Sequence, residues 1–291
     1  MALKDHNICP RLFLFMEQKQ RNITVLGAGI MGLSAAYALQ KDGHSITVYD
    51  PAGFPANNAS AMAGGMLAPW SEIEHLPGAW FDAAQEGLEF WREADFETGF
   101  VQNGTTILAH PEDRHMLERF KAHLPNVAEE QKFSARFPNA LSLSQEAHLD
   151  PSLTLKSLCA SINANFIEGI CEDESAYDRI IDCRGMGAAD DLPDLRGVKG
   201  ETLVVRNPDF HLDHVIRLMH PRYPLYIVPR PDHVFMIGAT VIESEDNKEI
   251  TLRSAMELMS ALYSLDPSFG DAQIIKIQAG IRPCYPDNLP R

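Results

Sequence analysis

From Ile23 the chain opens with an apolar run to Leu26, a glycine-rich turn, and apolar residues at helical spacing from about Ile30 to Lys41. A second apolar run, Ser45 to Tyr49, ends in Asp50. This is a β-α-β opening. Small residues from Ala59 to Pro69 follow, then a helix from about Gly78 to Ala94, a strand from Thr105 to Ala109 and a helix from Glu112 to His123. Turn residues thicken between Pro138 and Pro151, and Leu153 to Ile162 again reads as helix. Tyr177 to Arg184 is a buried-type strand closed by Gly185. Strands are expected at Glu201 to Arg206, Pro224 to Pro229 and His233 to Val241, a helix at Thr251 to Leu265, and a last strand at Gln273 to Ala279. Parallel-type units around a set of antiparallel-type strands imply two interleaved domains.

The turn after the first strand carries chemistry. Gly27-x-Gly29-x-x-Gly32 sits where a strand passes into a helix. There the first glycine permits a tight turn, the second lets backbone approach a pyrophosphate, and the third lets helix and strand pack closely. Helix-terminal N–H groups then face the phosphates. Asp50, eighteen residues past Gly32, ends the second strand, where a carboxylate can accept from ribose hydroxyls. A glycine-rich packing turn and a methyltransferase nucleoside site are the competing readings. The segment Ala63-Gly64-Gly65-Met66-Leu67-Ala68-Pro69 offers a second close backbone approach, which suits the flat ring of a held flavin better than an exchanging nicotinamide.

Composition narrows the partners. Acidic residues number 40 against 25 basic ones in 291, a net charge of −15, so a polyphosphate backbone or an anionic membrane would be repelled. No nucleic-acid or membrane partner is expected. The five cysteines are odd in number and form no Cys-x-x-Cys, which argues against a disulfide framework and for a reducing cytoplasm. His211-x-x-His214 lacks further ligands in pattern, and no metal is expected. Leu12 to Met16 is too short and too closely followed by charge for a cleaved signal, so residues 1–21 read as an extension.

On these residues the chain resembles the FAD-dependent D-amino acid oxidase family, nearest the glycine oxidases of thiamine biosynthesis. The resemblance is carried by Val25 to Leu39, Gly65-Met66-Leu67-Ala68-Pro69 with Glu72, Asn103-Gly104-Thr105 and Asp182-Cys183-Arg184-Gly185. It continues in Arg196-Gly197-Val198-Lys199-Gly200-Glu201, Tyr226-Ile227-Val228-Pro229-Arg230, Gly238-Ala239-Thr240, and Gly280-Ile281-Arg282-Pro283 with Pro286-Asp287. The matches run from about residue 22 to the terminus in the family's order.

The resemblance implies an α/β protein: a Rossmann-type FAD-binding domain interleaved with an α+β substrate domain built on an antiparallel sheet. The FAD-binding parts would be residues 22–77, 148–197 and, from 280–291, the start of a third; residues 78–147 and 198–279 would form the substrate domain. FAD would be held by Gly27, Gly29, Ile30, Met31, Gly32, Asp50, Gly65, Met66, Leu67, Arg184 and Gly185. Arg282 would grip a substrate carboxylate with Tyr226 as hydroxyl donor, while Arg230 is expected in a structural ion pair. Val241 stands where relatives can carry methionine, which bears on pocket shape. Relatives continue beyond the equivalent of residues 287–290 into a further glycine-rich turn and helix, so a fragment or a shortened chain is expected.

The implied reaction is oxidation of glycine or another small amino acid by hydride transfer to flavin, giving an imino acid and, with dioxygen, hydrogen peroxide. A homo-oligomer is compatible with it. Two alternatives stay open: a D-amino acid or secondary-amine dehydrogenase that passes electrons to a carrier, and a truncated, non-catalytic nucleotide-binding protein.

Overall fold

The structure is a computed structural model in which residues 20–125, 127–221, 224–246 and 249–289 are described. The N-terminal extension lies, up to residue 19, outside the described residues. Strand β1 (Asn22–Leu26) leads through the glycine turn into α1 (Ile30–Lys41) and β2 (Ser45–Asp50). Four of the five β1 residues are buried, because the strand has a parallel neighbour on each side and helices on its face. Such a strand needs an unbroken apolar run rather than alternation. Leu33, Ala36 and Tyr37 of α1 are buried against Val25 and Val48.

After β2 the chain crosses to the second sheet and back. It passes through the two-residue strand β3 (Met66–Leu67) and α2 (Gly78–Arg92), then β4 (Thr105–Ala109) and α3 (Arg114–Lys121). Three strands follow: β5 (Glu129–Gln131), β6 (Ala140–Leu143) and the short β7 (Ala147–His148), which pairs with β3. Helix α4 (Pro151–Ser161) returns to the first sheet. Asp150 caps it by accepting from the N–H groups of Ser152 and Leu153 at 2.9 and 3.1 Å, with Pro151 at its first position. Strands β8 (Asn165–Glu168) and β9 (Arg179–Asp182) complete a parallel sheet of order β8-β2-β1-β9, with α1 and α4 packed on it around Leu33, Leu155 and Leu158.

The second sheet has nine strands. From β10 (Arg196–Arg206) it takes in β11 (Val215–Met219), β12 (Leu225–Arg230), β13 (Val234–Gly238) and β14 (Ile242–Glu243). Helix α5 (Leu252–Leu265), capped by the Thr251 hydroxyl, covers one face, and β15 (Gln273–Cys284) closes the sheet along β10. The order is β14-β10-β13-β12-β11-β4-β6-β5, antiparallel except for β11 beside β4. Its core joins Leu203, Ile216, Ile227 and Ile237 of the strands to Leu258 and Leu262 of α5. Among the described residues no helix is long and apolar enough to cross a membrane.

Two strands run further than their sequence suggests. β10 begins at Arg196, not Glu201, and β15 continues through Gly280 to Cys284, not Ala279. The glycines within these extensions are sites of close approach. A Cβ on Gly197 would stand 2.7 Å from both Glu245 and Ile281 side chains, and Gly200 faces Gly280 across the ladder. Strand β11, interrupted by charge in sequence, was not expected, nor were β5 to β8; they are short and take their register from neighbours.

Candidate cofactor and substrate site

Gly27 leaves β1 at φ +100° and its N–H donates to the Tyr49 carbonyl at 2.7 Å. A Cβ there would meet the Cys183 carbonyl oxygen at 2.4 Å, and one on Gly32 would meet the Gly27 carbonyl oxygen at 1.9 Å. Both positions are therefore closed to side chains by backbone that cannot yield. The α1 N-terminus at Gly29 has no side-chain cap of its own, but the Ile30 N–H donates to the Ser60 hydroxyl at 3.0 Å. Met31, in the first turn, is 71% exposed.

Asp50 turns into this elbow. Its Oδ2 accepts from the Ala28 N–H at 2.7 Å and its Oδ1 from the Ala52 N–H at 2.8 Å. Each oxygen keeps a further lone pair for a sugar hydroxyl. The carboxylate thus braces the turn as well as standing at the tip of β2. Asp50→Ala is expected to leave the buried Ala28 N–H unpaired, at about 1–3 kcal/mol. The check is a weaker FAD dissociation constant together with a lower melting temperature; loss of neither would remove Asp50 from the site.

Arg184 follows β9, and its guanidinium is held by Asp182 and Asp191 at 2.6 and 2.7 Å. Those contacts push the arginine further up and hold the Asp182 carboxyl below its usual range. Arg184 therefore presents backbone to the elbow, its Cα 3.0 Å from where a Gly27 Cβ would be. Gly185, at φ +58°, lies below Pro283, with 3.7 Å between its would-be Cβ and the ring.

A cavity of about 830 Å³ lies between the second sheet and the segment from Ala59 to Leu76. Met66, Gly200, Tyr226, Gly280 and Arg282 are among its lining residues. The facing glycines Gly200 of β10 and Gly280 of β15 bring backbone into its lining. The segment from Asn58 to Met62 joins this cavity to the elbow. Asn58 Oδ1 accepts from the Ser60 N–H at 3.0 Å, which fixes the hydroxyl on Ile30, while Met62 lines the cavity against Gly280. Gly65, at φ +73°, would drive a Cβ to 2.2 Å from the Leu149 carbonyl oxygen, so β3 is pressed down beneath the cavity. Leu67 pairs with Ala147 in that short ladder.

Tyr226 is packed against Gly64 and Gly238; a Cβ on Gly238 would lie 2.7 Å from its hydroxyl oxygen. Burial pushes the hydroxyl up to about 12, with Arg282 drawing it down and Glu72 adding to the rise. The phenol stays protonated and can donate. Arg282 Nη1 donates to the Cys284 sulfur at 3.4 Å, a weak acceptor that leaves the guanidinium available to an anion. Arg230 is otherwise engaged: Nη2 donates to the Gly64 carbonyl at 2.8 Å and Nε lies 3.7 Å from Asp150, the ion pair expected of it.

FAD fits these residues. The elbow admits only backbone, the lining of the cavity is rich in small residues, and the buried Thr202 hydroxyl on its wall has no hydrogen-bond partner among the described residues. The elbow would hold the diphosphate and Asp50 the ribose, with Gly65 to Leu67 beneath the ring.

His148 sits under the same segment, in register with Met66. Burial, reinforced by Arg230 and His214, depresses it to about 4 from 6.5. The folded state therefore keeps it neutral while the unfolded chain binds a proton below 6.5. Stability rises with pH between those two values, by up to about 1.4 kcal/mol per pH unit from this group, and is lost as pH falls. Urea unfolding across that window should show a shallower pH slope for His148→Gln than for wild type.

Sequence reasoning missed Ser60, hidden in a stretch of small residues, and Arg217, on the unanticipated β11. Arg217 pairs opposite Tyr226 in the ladder and lines the cavity. Glu72 was visible only as part of a motif.

The family model described as FAD dependent oxidoreductase, DAO, matches residues 22–291. A Rhizobium etli protein provisionally named thiamine biosynthesis oxidoreductase ThiO is 40% identical over 282 residues, covering 92% of this chain and 86% of its own. A Bacillus licheniformis glycine oxidase is 24% identical, with 94% and 84% covered. The crystal structure of glycine oxidase from Geobacillus kaustophilus superposes with a TM-score of 0.79 at 21% identity, covering 93% of this chain and 85% of that one. The fold is thus that of an FAD-dependent oxidase, a Rossmann-type domain joined to a substrate domain.

Proposed function

The chain belongs to the FAD-dependent oxidoreductase family, DAO, and from that premise we propose that it oxidises glycine or another small amino acid to the imino acid. Bound FAD supplies the acceptor for the hydride leaving Cα, and dioxygen carries the electron pair away as hydrogen peroxide. The chain's own work is orientation. Arg282 forks the substrate carboxylate, and the protonated Tyr226 hydroxyl donates to it, so that Cα is presented to the ring face. Small residues such as Gly64, Gly200 and Gly280 in the lining leave room for a flat ring.

The observation that carries this reading is the continuity of elbow and cavity through Asn58 to Met62, with Arg282 and Tyr226 at the cavity end. The name of the relative at 40% identity supports a role in thiamine biosynthesis. The test is an absorption spectrum of purified protein with and without added FAD, followed by peroxide release with glycine, sarcosine and D-alanine. A flavin spectrum with peroxide from glycine is expected. Dye reduction without peroxide would point to a dehydrogenase, and a colourless protein that takes up no FAD would overturn the assignment.

A further inference from the structure

The cavity holds a carboxylate that the reaction as described leaves unused. Glu72 lines it together with Tyr226, Arg282 and Arg217. Arg217 does not consume it: Nη2 stands 3.9 Å from Glu72 Oε1, too far for a hydrogen bond, while Nη1 donates to the Ser71 carbonyl and the guanidinium lies over the Phe120 ring. Ser71 is itself pinned. The buried Glu146 accepts from its N–H at 2.6 Å and its hydroxyl at 2.7 Å. The loop that carries Glu72 is thus anchored on one side by Glu146 and on the other by Arg217. Its carboxylate is half-exposed and belongs to the cavity lining.

The charges are ordered about one phenol. Glu72, Tyr226 and Arg282 line the same cavity, so an anion and a cation share the space in which a substrate carboxylate would sit. An amino acid carries its own cation one carbon from its carboxylate. We propose that Glu72 binds the substrate's amino group while Arg282 and Tyr226 hold its carboxylate, so that the site recognises α-amino acids by both of their polar groups. This rests on the reading above. Two polar anchors and the ring face then fix Cα in all three directions, which a carboxylate clamp alone does not. Acids without an amine, such as acetate or glycolate, lack the second anchor and bring no cation of their own to the Glu72 carboxylate.

The test compares kcat/KM for glycine with the inhibition constant of acetate in the flavin-loaded enzyme. Glu72→Gln keeps size and removes charge from a half-exposed side chain, so the fold is retained. The expected result is a roughly ten- to a hundredfold loss of kcat/KM for glycine with acetate inhibition unchanged or tightened, and partial recovery of the glycine preference in Glu72→Asp. Equal effects on both ligands, or no effect on either, would overturn the role of Glu72 alone. A wild-type enzyme that oxidises no amino acid would instead overturn the reading on which it rests.

Discussion

Gly32→Ala is expected to give protein that purifies without flavin and unfolds at markedly lower temperature. The added methyl would stand 1.9 Å from the Gly27 carbonyl oxygen and 3.2 Å from Val25 Cγ1. The first of these is backbone in the tight turn, so relief requires α1 to move off β1. Overpacking of this kind costs about 1–3 kcal/mol or more. It also withdraws the helix N-terminus from the place where the diphosphate must lie. The measurement is the flavin-to-protein ratio after incubation with FAD, beside a thermal melt. Gly87→Ala is the control. That glycine lies inside α2 with open space where its Cβ would be, so alanine should stabilise the helix by about 0.5–1 kcal/mol and leave flavin content untouched. A Gly32→Ala protein with full flavin would mean that the elbow is not the cofactor's seat.

Arg282→Ala should raise the Michaelis constant for carboxylate substrates roughly ten- to a hundredfold, the equivalent of the ~1.5–3 kcal/mol of a charge-assisted hydrogen bond. Flavin content should not change, because the guanidinium donates to Cys284 and faces the cavity. Lysine is not expected to rescue fully: a single ammonium cannot reproduce the two parallel bonds of the guanidinium fork. Unchanged kinetics in the alanine variant would remove Arg282 from the site and leave Tyr226 without its partner.

The elbow was legible because its chemistry is local. Gly27, Gly29 and Gly32 are separated by fixed short spacings, and the strand before them and helix after them are set by neighbours in the chain. Asp50 follows from the same unit, since two short parallel strands and one helix fix its distance. Arg282 and Tyr226 entered only through the resemblance; nothing in their local spacing links positions 226 and 282. The register brings them into one cavity: Tyr226 faces Gly238 across β12 and β13, and Arg282 faces Val198 across β15 and β10. Gly280 and Pro283 read as the end of a strand, yet they lie within a strand of twelve residues. Local turn propensity lost there to a long ladder with β10.

Sequence alone therefore determined the parallel β-α-β unit, its closed glycine turn and the acid at its tip, because steric limits on backbone act between residues near in the chain. The tertiary structure decided the rest: that Ser60 reaches the helix N-terminus, that two glycines face each other in the cavity lining, and that Glu72, Arg217, Tyr226 and Arg282 line one cavity. Those placements depend on strand register and on buried anchors such as Glu146, which act between segments far apart in sequence and leave no periodic trace in it.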